Sequence, residues 1–255
     1  MKCAIFAKET VCESALNLVR EKLKSLGILA VSEFENADVI IAVGGDGTII
    51  RAVQRAALQN IPILGINSGN LGFLAGLELN ELDGLAALLS GEYMVEKRMM
   101  LRVEVGEKEY FCLNDAVIAS GIASRIIDIE VACDGQNFMN YKADGLIFST
   151  PTGSTAYALS AGGPIVDPMI DSIIITPICP HSLFSRPIIV SPTSALGAKI
   201  AQGDVHLTLD GSHVLEIKPS EKIYITCDER KAKLIKIKSD NFYDVYKHKM
   251  RGRAE

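Results

Sequence analysis

Long apolar runs are absent from this 255-residue sequence. No stretch approaches the roughly 18 uninterrupted apolar residues of a membrane-spanning helix, so no membrane partner is expected. The opening residues, MKCAIFAKETVCES, turn polar after one short apolar run, too short for a signal-peptide core. Paired cysteines are missing as well. Cys3, Cys12, Cys112, Cys133, Cys179 and Cys227 lie far apart, with no Cys-x-x-Cys and no Cys/His metal spacing, and the four histidines are scattered. That pattern predicts reduced cysteines in a cytoplasmic protein and no protein-built metal site. Nor is there an excess of positive charge. The formal net charge of -5 provides no global field to recruit nucleic acid or an anionic membrane. A nucleotide would need positive potential assembled locally, from backbone amides, a few cations and a metal.

What is present is ordinary for a soluble globular protein, with 48% hydrophobic and 22% charged residues. The length suits one large domain or two smaller ones with a sizeable core. Residues 1–92 alternate strand and helix signals. Lys2 to Ala7 is a short apolar run, and Val11 to Leu26 places apolar residues near a 3.6 period until Gly27 stops it. Asp38 to Val43 is a β-branched run of the kind buried on both faces of a sheet. A helix is expected over Thr48 to Gln59, a strand over Ile61 to Ile66, and a helix over Glu81 to Leu89. Strands separated by helices of this length predict a doubly wound α/β domain.

After Glu92 the texture turns to strands joined by short polar links. Met99 to Val105, Glu109 to Ala119, Ile126 to Cys133, Leu146 to Thr150, Ile173 to Ile178, Ile188 to Ser191, Val205 to Leu209, Lys222 to Cys227 and Ala232 to Ile237 all read as strands. Ser154 to Ser160 is the best helix among them. Residues 93–240 are therefore expected to form a predominantly antiparallel β domain. The tail 241–255, with Phe242, Tyr243, Val245 and Tyr246 before a basic end, is expected to pack back on the first domain. No repeat or low-complexity linker appears, which predicts two domains meeting around a substrate cleft.

Three clusters carry chemistry. The first is Gly44-Gly45-Asp46-Gly47-Thr48, at the end of a buried strand. Its glycines leave backbone amides uncovered and free to point at an anion, and the helix that follows adds its positive end. It is neither the P-loop nor the Rossmann glycine pattern. An acid beside phosphates is unfavourable unless it takes a proton or holds a metal, so Asp46 reads as either a working carboxylate or a simple helix cap. The second cluster is Asn114-Asp115, a polar pair inside the apolar stretch Phe111 to Ala119. Such a pair must be satisfied by backbone or by ligand, and an ordinary bulge would also explain it.

The third runs from Lys142 and Asp144 through Ser149-Thr-Pro-Thr-Gly-Ser-Thr-Ala-Tyr157 to Ser160. Asp144 can accept from an amide or hydroxyl, the Ser/Thr/Gly run supplies small polar groups, and Tyr157 offers a flat face for a base. Any one of these residues could equally serve a helix cap. No Gly-x-Ser-x-Gly elbow is present for a serine nucleophile. Asp210-Gly211-Ser212 reads as a turn, His181 and Arg186 as structural hydrogen-bonders, and Lys247 to Arg253 as a solvated terminus.

Taken together and in order, these residues resemble the NAD kinase family. The resemblance rests on Gly44-Gly45-Asp46-Gly47-Thr48, Asn114-Asp115, Asp144-Gly145, the Ser149-to-Tyr157 run, Ser160-Ala-Gly-Gly-Pro164 and Pro180-His-Ser-Leu-Phe-Ser-Arg-Pro187. It spans about Asp38 to Ser212 and implies an N-terminal doubly wound α/β domain followed by a C-terminal antiparallel β-sandwich-like domain. The glycine motif alone is shared with lipid kinases and, loosely, with phosphofructokinases; the later motifs are more specific. The resemblance implies an enzyme that moves the γ-phosphoryl of ATP to the 2'-hydroxyl of the adenosine ribose of NAD, giving NADP. Inorganic polyphosphate serves some relatives as donor. NAD and ATP are then the small-molecule partners, Mg²⁺ the cofactor carried with ATP, and a homodimer or homotetramer the assembly.

By the same resemblance, Asp46 would orient and deprotonate the 2'-hydroxyl. Gly44, Gly45, Gly47 and Thr48 would approach the phosphates. Asn114 and Asp115 would hold adenine and ribose groups, while Thr155, Ala156, Tyr157 and Ser160 would line the nucleoside pocket. Asp144 would meet the nicotinamide-side amide or a base. Two departures stand out: the family usually has Asn-Glu at Asn114-Asp115 and often Asp-Gly-Gln at Asp210-Gly211-Ser212. A lipid kinase would need an apolar acceptor groove, and a non-catalytic NAD(P) sensor would have no use for the Asp46 carboxylate.

Overall fold

The structure, a computed structural model, describes residues 1–8, 11–69, 72–121, 126–182, 185–202, 205–218, 221–238 and 242–251. The chain forms two compact units, one of Met1–Arg98 with Arg230–Glu255 and one of Met99–Glu229.

The first unit is built on a seven-stranded sheet. Its strands run in the order Leu29–Val31, Lys2–Ala7, Val39–Val43, Ile63–Asn67, Ala232–Lys236 and Met94–Arg98, with Leu77–Glu78 beside Ile63–Asn67. All pairings are parallel except that of Met94–Arg98 with Ala232–Lys236. Every residue of Val39–Val43 and Ile63–Asn67 is buried. Strands covered on both faces need such unbroken apolar sequence. Helix Glu13–Ser25 contributes Ala15, Leu16, Val19 and Leu23 to the core, at helical spacing. Helix Asp46–Ala56 contributes Ile49, Ala52, Val53 and Ala56. It starts two residues earlier than the sequence pattern suggested, because Gly45 rather than Thr48 takes the cap position.

Two expectations need correction. The helix expected over Glu81 to Leu89 is a 3-10 stretch, Leu79–Ala86, followed by one α-turn, Ala87–Ser90. Glu81 departs from helical geometry there (φ -118°, ψ 24°), while its carboxylate closes a capping box by accepting from the Glu78 amide at 3.0 Å. The strand Ala232–Lys236, read as part of the β-rich domain, belongs instead to the first sheet, as does Met94–Arg98, a strand not read from sequence although residues 93–240 were assigned to that domain. Leu234 and Ile235 are fully buried on its opposite faces, as an interior strand requires. Strand propensity says nothing about which sheet a strand joins.

The second unit consists of two six-stranded antiparallel sheets. One contains Gln136–Ala143, Ile127–Cys133, Leu196–Gln202, Lys222–Cys227, Leu101–Val105 and Lys108–Cys112 in that order. The other contains Ile188–Val190, Ile173–Ile178, Gly145–Ser149, Asp115–Ser120, Val205–Leu209 and His213–Ile217. Alternate residues such as Ile127, Ile129 and Val131 from the first sheet share one core with Ile118, Phe148, Ile173 and Leu207 from the second. That is sandwich packing. The strand expected over Glu109 to Ala119 is in fact two strands, one in each sheet, broken at Leu113-Asn114. The chain turns this corner on the Asp210 carboxylate, which accepts the amides of Leu113, Asn114 and Asp115 at 2.9, 2.7 and 3.1 Å.

Candidate functional site

In the first unit the strand Val39–Val43 ends at Gly44, whose φ of +146° lies where side chains are rarely tolerated. A Cβ there would also sit 2.5 Å from Thr48 Oγ1. The Gly44 amide donates to Ile66 O at 2.9 Å, tying the loop to the neighbouring strand. Gly45, Gly47 and Thr48 then open helix Asp46–Ala56. Gly44, Gly45, Gly47 and Thr48 line a cavity of about 530 Å³ together with Lys8 and with Cys12 and Ser14 at the start of helix Glu13–Ser25. Two helix N-termini and one ammonium group thus face the same space, an arrangement suited to phosphate. The Cys12 thiol lies 2.9 Å from Ser14 Oγ, and that hydrogen bond lowers its pKa.

Asp46 does not line this cavity. Its side chain makes no cap to its own helix and turns toward the segment Gly72–Ala75. Oδ2 accepts from Phe73 N at 3.0 Å and Oδ1 from Leu74 N at 3.1 Å. Gly72 is required for this approach, since a Cβ on it would meet Oδ1 at 2.2 Å. The same segment is gripped from its carbonyl side. Lys236 Nζ donates to Phe73 O, Leu74 O and Ala75 O at 3.3, 3.2 and 2.7 Å. From helix Phe242–Arg251 the Lys249 ammonium comes to 3.4 Å from Asp46 Oδ2. The carboxylate remains 29% exposed, held but reachable. A simple helix cap is thereby excluded for Asp46.

In the second unit a cavity of about 400 Å³ is lined by Asn114, Asp115, Ala156, Tyr157, Thr208 and Asp210, among others. Asp115 is only 4% exposed. Burial, reinforced by the neighbouring Asp210 charge, raises its pKa to about 7. At that value the carboxyl can carry a proton and donate as well as accept. Tyr157 is 47% exposed, so its ring is open to stacking. Beneath them the Ser/Thr run is committed to the fold: Thr150 Oγ1 donates to Leu113 O at 2.6 Å and Ser154 Oγ to Pro151 O at 2.7 Å.

Of the residues singled out from sequence, the structure brings Asn114, Asp115, Ala156 and Tyr157 together. Thr155, whose hydroxyl donates to Thr152 O at 3.3 Å, does not line that cavity, nor do Ser160 and Asp144. The Asp144 backbone bonds to Ser120 N and Ile178 O at 3.1 and 3.0 Å. His181 lines a separate cavity with Lys142, and its amide donates to Lys142 O at 2.9 Å. Leu183, Phe184 and Arg253 lie outside the described residues. Lys8, Gly72 and Lys236 carried no motif; Asp210, read as part of a turn, instead accepts three amides, and Lys249, read as part of a solvated terminus, is instead only 21% exposed beside Asp46. Only Lys249 left a usable trace, seven residues after Phe242 and three after Tyr246, on the aromatic face of the last helix.

Among the described residues no group of three or more His, Cys, Asp or Glu side chains could hold a metal ion. Also among them, no helix is long and apolar enough to cross a membrane. The six cysteines are free thiols.

With this geometry in hand, comparison with known proteins is informative. Residues 14–93 match the family model described as the ATP-NAD kinase N-terminal domain, and residues 113–237 the ATP-NAD kinase C-terminal domain. A NAD kinase of Geotalea daltonii is 44% identical over 225 residues, covering 85% of this chain and 79% of the relative. One from Carboxydothermus hydrogenoformans is 44% identical over 237 residues, covering 88% and 85%. Among solved structures, a NAD kinase from Archaeoglobus fulgidus in complex with ATP superposes with a TM-score of 0.83 at 28% identity, covering 98% of this chain and 99% of the other. Yeast NADH kinase complexed with NADH shares the fold, with a TM-score of 0.86 at 24% identity and coverage of 99% and 87%.

Proposed function

The chain belongs to the ATP-NAD kinase family, and on that premise we propose that it phosphorylates the 2'-hydroxyl of the adenosine ribose of NAD from ATP through Asp46. Membership decides against the lipid kinase that the glycine motif alone left open. The observation that carries the assignment to Asp46 is its carboxylate, fixed by the Phe73 and Leu74 amides beside the glycine loop and still exposed.

In this mechanism the 2'-oxygen attacks the γ-phosphorus in line with the departing oxygen of ADP. Asp46 accepts the hydroxyl proton as the new P–O bond forms and the old one breaks. The loop of Gly44, Gly45 and Gly47, the Thr48 hydroxyl and Lys8 approach the phosphates, favoured by both helix N-termini, with Gly44 shaping the loop while its own amide stays bonded to Ile66 O. Mg²⁺ would enter as part of the Mg-ATP substrate and offset the charge on its phosphate oxygens. In the second unit Asn114 and Asp115 bind adenine and ribose polar groups, with Ala156 and Tyr157 forming the apolar wall. Thr155, Ser160 and Asp144 contribute at the margins of the bound dinucleotide. Free thiols support a cytoplasmic location. Exposed Ile165, Met169, Ile170 and Ile189 support a homodimer or homotetramer, which light scattering would count.

The test is NADP formation from NAD, ATP and Mg²⁺ by purified protein, beside Asp46→Asn. Wild-type protein should make NADP steadily, and the variant should fold normally while turning over roughly 10²- to 10⁴-fold more slowly. Near-normal turnover in the variant would remove Asp46 from the role of base. A dinucleotide sensor would bind NAD and make no NADP in either form.

A further inference from the structure

The last helix, Phe242–Arg251, is ten residues long, and a helix of that length is marginal without tertiary contacts. Part of its anchorage is on Phe73. The Phe242 ring lies 5.9 Å from the Phe73 ring, and Tyr246 stacks on Phe242 at 6.4 Å. One turn further along, the Lys249 ammonium sits 4.1 Å above the Phe73 ring and 3.4 Å from Asp46 Oδ2. Phe73 therefore serves the same carboxylate twice: its amide donates to Asp46, and its ring carries the cation that pairs with Asp46. The Lys249 side chain is only 21% exposed. A lysine on the solvated face of a terminal helix would have no reason to be held between a ring and a carboxylate.

We infer that Lys249 is a positioning residue for phosphoryl transfer, fixing the Asp46 carboxylate through the last helix. The inference rests on the kinase reading and on Asp46 as its base. The physical case is one of lone pairs. Two backbone amides orient Asp46 from the side of Gly72–Leu74, one on each oxygen. A carboxylate oxygen can accept a second contact, and Lys249 supplies it on Oδ2, the oxygen already bonded to Phe73. Oδ1 takes only Leu74 among these donors and keeps a site for the substrate hydroxyl. The cation thus distinguishes two otherwise equivalent oxygens. Lys236 holds the segment from its carbonyl side through Phe73, Leu74 and Ala75.

The test compares Lys249→Met, which keeps an unbranched stem on Phe73, with Lys249→Arg, both in the full-length protein and each also combined with Asp46→Asn. Lys249→Met should lower kcat by roughly 5- to 100-fold, the range expected when a reacting group is slightly misplaced, with KM for NAD and ATP and the melting temperature unchanged. Lys249→Arg should recover most of the loss. In the Asp46→Asn background, followed over long incubations, Lys249→Met should add little, because a residue acting through Asp46 has nothing left to position. Wild-type kcat in Lys249→Met would overturn the inference. So would a raised KM for ATP at unchanged kcat, which would make Lys249 a phosphate ligand, or a full additional loss in the Asp46→Asn background. A wild-type protein that makes no NADP would instead overturn the kinase reading itself.

Discussion

Asp115 is a carboxyl group with almost no contact with water in the free protein, beside a second acid, Asp210. Its consequence for stability has a definite sign. The folded-state pKa of about 7 lies above the value near 4 of an unfolded chain. Between those values the folded protein holds a proton that the unfolded protein has lost, so stability declines as pH rises from about 4 to about 7 and then levels off. Asp115→Asn should abolish this slope and raise stability at pH 8 by on the order of a few kcal/mol, read as a flattened melting temperature against pH. An unchanged slope in the variant would assign the titration to another group. The Asn114-Asp115 pair was legible in the sequence as a polar interruption of an apolar run. Its proximity to Asp210, some 95 residues further on, was not, because no local pattern encodes that meeting.

At the scale of elements, the corner at Leu113-Asn114 shows why one apolar stretch became two strands. Three consecutive amides would lose their ladder partners where the chain leaves one sheet for the other, and buried amides without acceptors are costly. The Asp210 carboxylate takes all three and returns its own amide to Asp115 O at 3.0 Å. Asp210→Ala should therefore destabilise the protein by about 2–5 kcal/mol, measured by denaturant unfolding, whereas Asp210→Asn, retaining one acceptor oxygen, should lose less. Equal losses would show that the charge rather than the acceptor geometry holds the corner. Elements with strong internal signals were legible throughout: Lys2–Ala7, Ile173–Ile178, Val205–Leu209 and Lys222–Cys227 fall where the apolar pattern placed them. Gln136–Ala143 was missed although Met139, Tyr141 and Ala143 alternate with exposed Asn140 and Lys142, because its first three residues, Gln136 to Phe138, are all exposed and leave only a short alternating stretch.

In the whole molecule the second unit is an insertion into a β-hairpin of the first. Arg98 pairs directly with Ala232, and the residues between them make up the second unit with a few connecting positions. Replacing residues 99–231 by a two-residue Asn-Gly turn should leave a folded α/β unit, with cooperative unfolding and helical circular dichroism. A collapsed product lacking a cooperative transition would show that the first unit depends on the second. The alternation of strands and helices made this unit's class legible, and the glycine loop marked residues that line one cavity at the end of Val39–Val43. The role of the chain's far end was hidden, since Lys236 and Lys249 reach Gly72–Ala75 and Asp46 across more than 160 residues of sequence.

That same hairpin imposes an order on biosynthesis. Translation proceeds from the N-terminus at about 5–20 residues per second, and domains generally fold as they emerge. The strand that separates Ile63–Asn67 from Met94–Arg98 is Ala232–Lys236, made only after the entire sandwich has been synthesised. For most of its manufacture the nascent α/β half therefore carries a vacant slot beside Ile63–Asn67, an edge that another chain could fill. The sandwich, contiguous and closed on its own core, is the half that can mature first although it begins second.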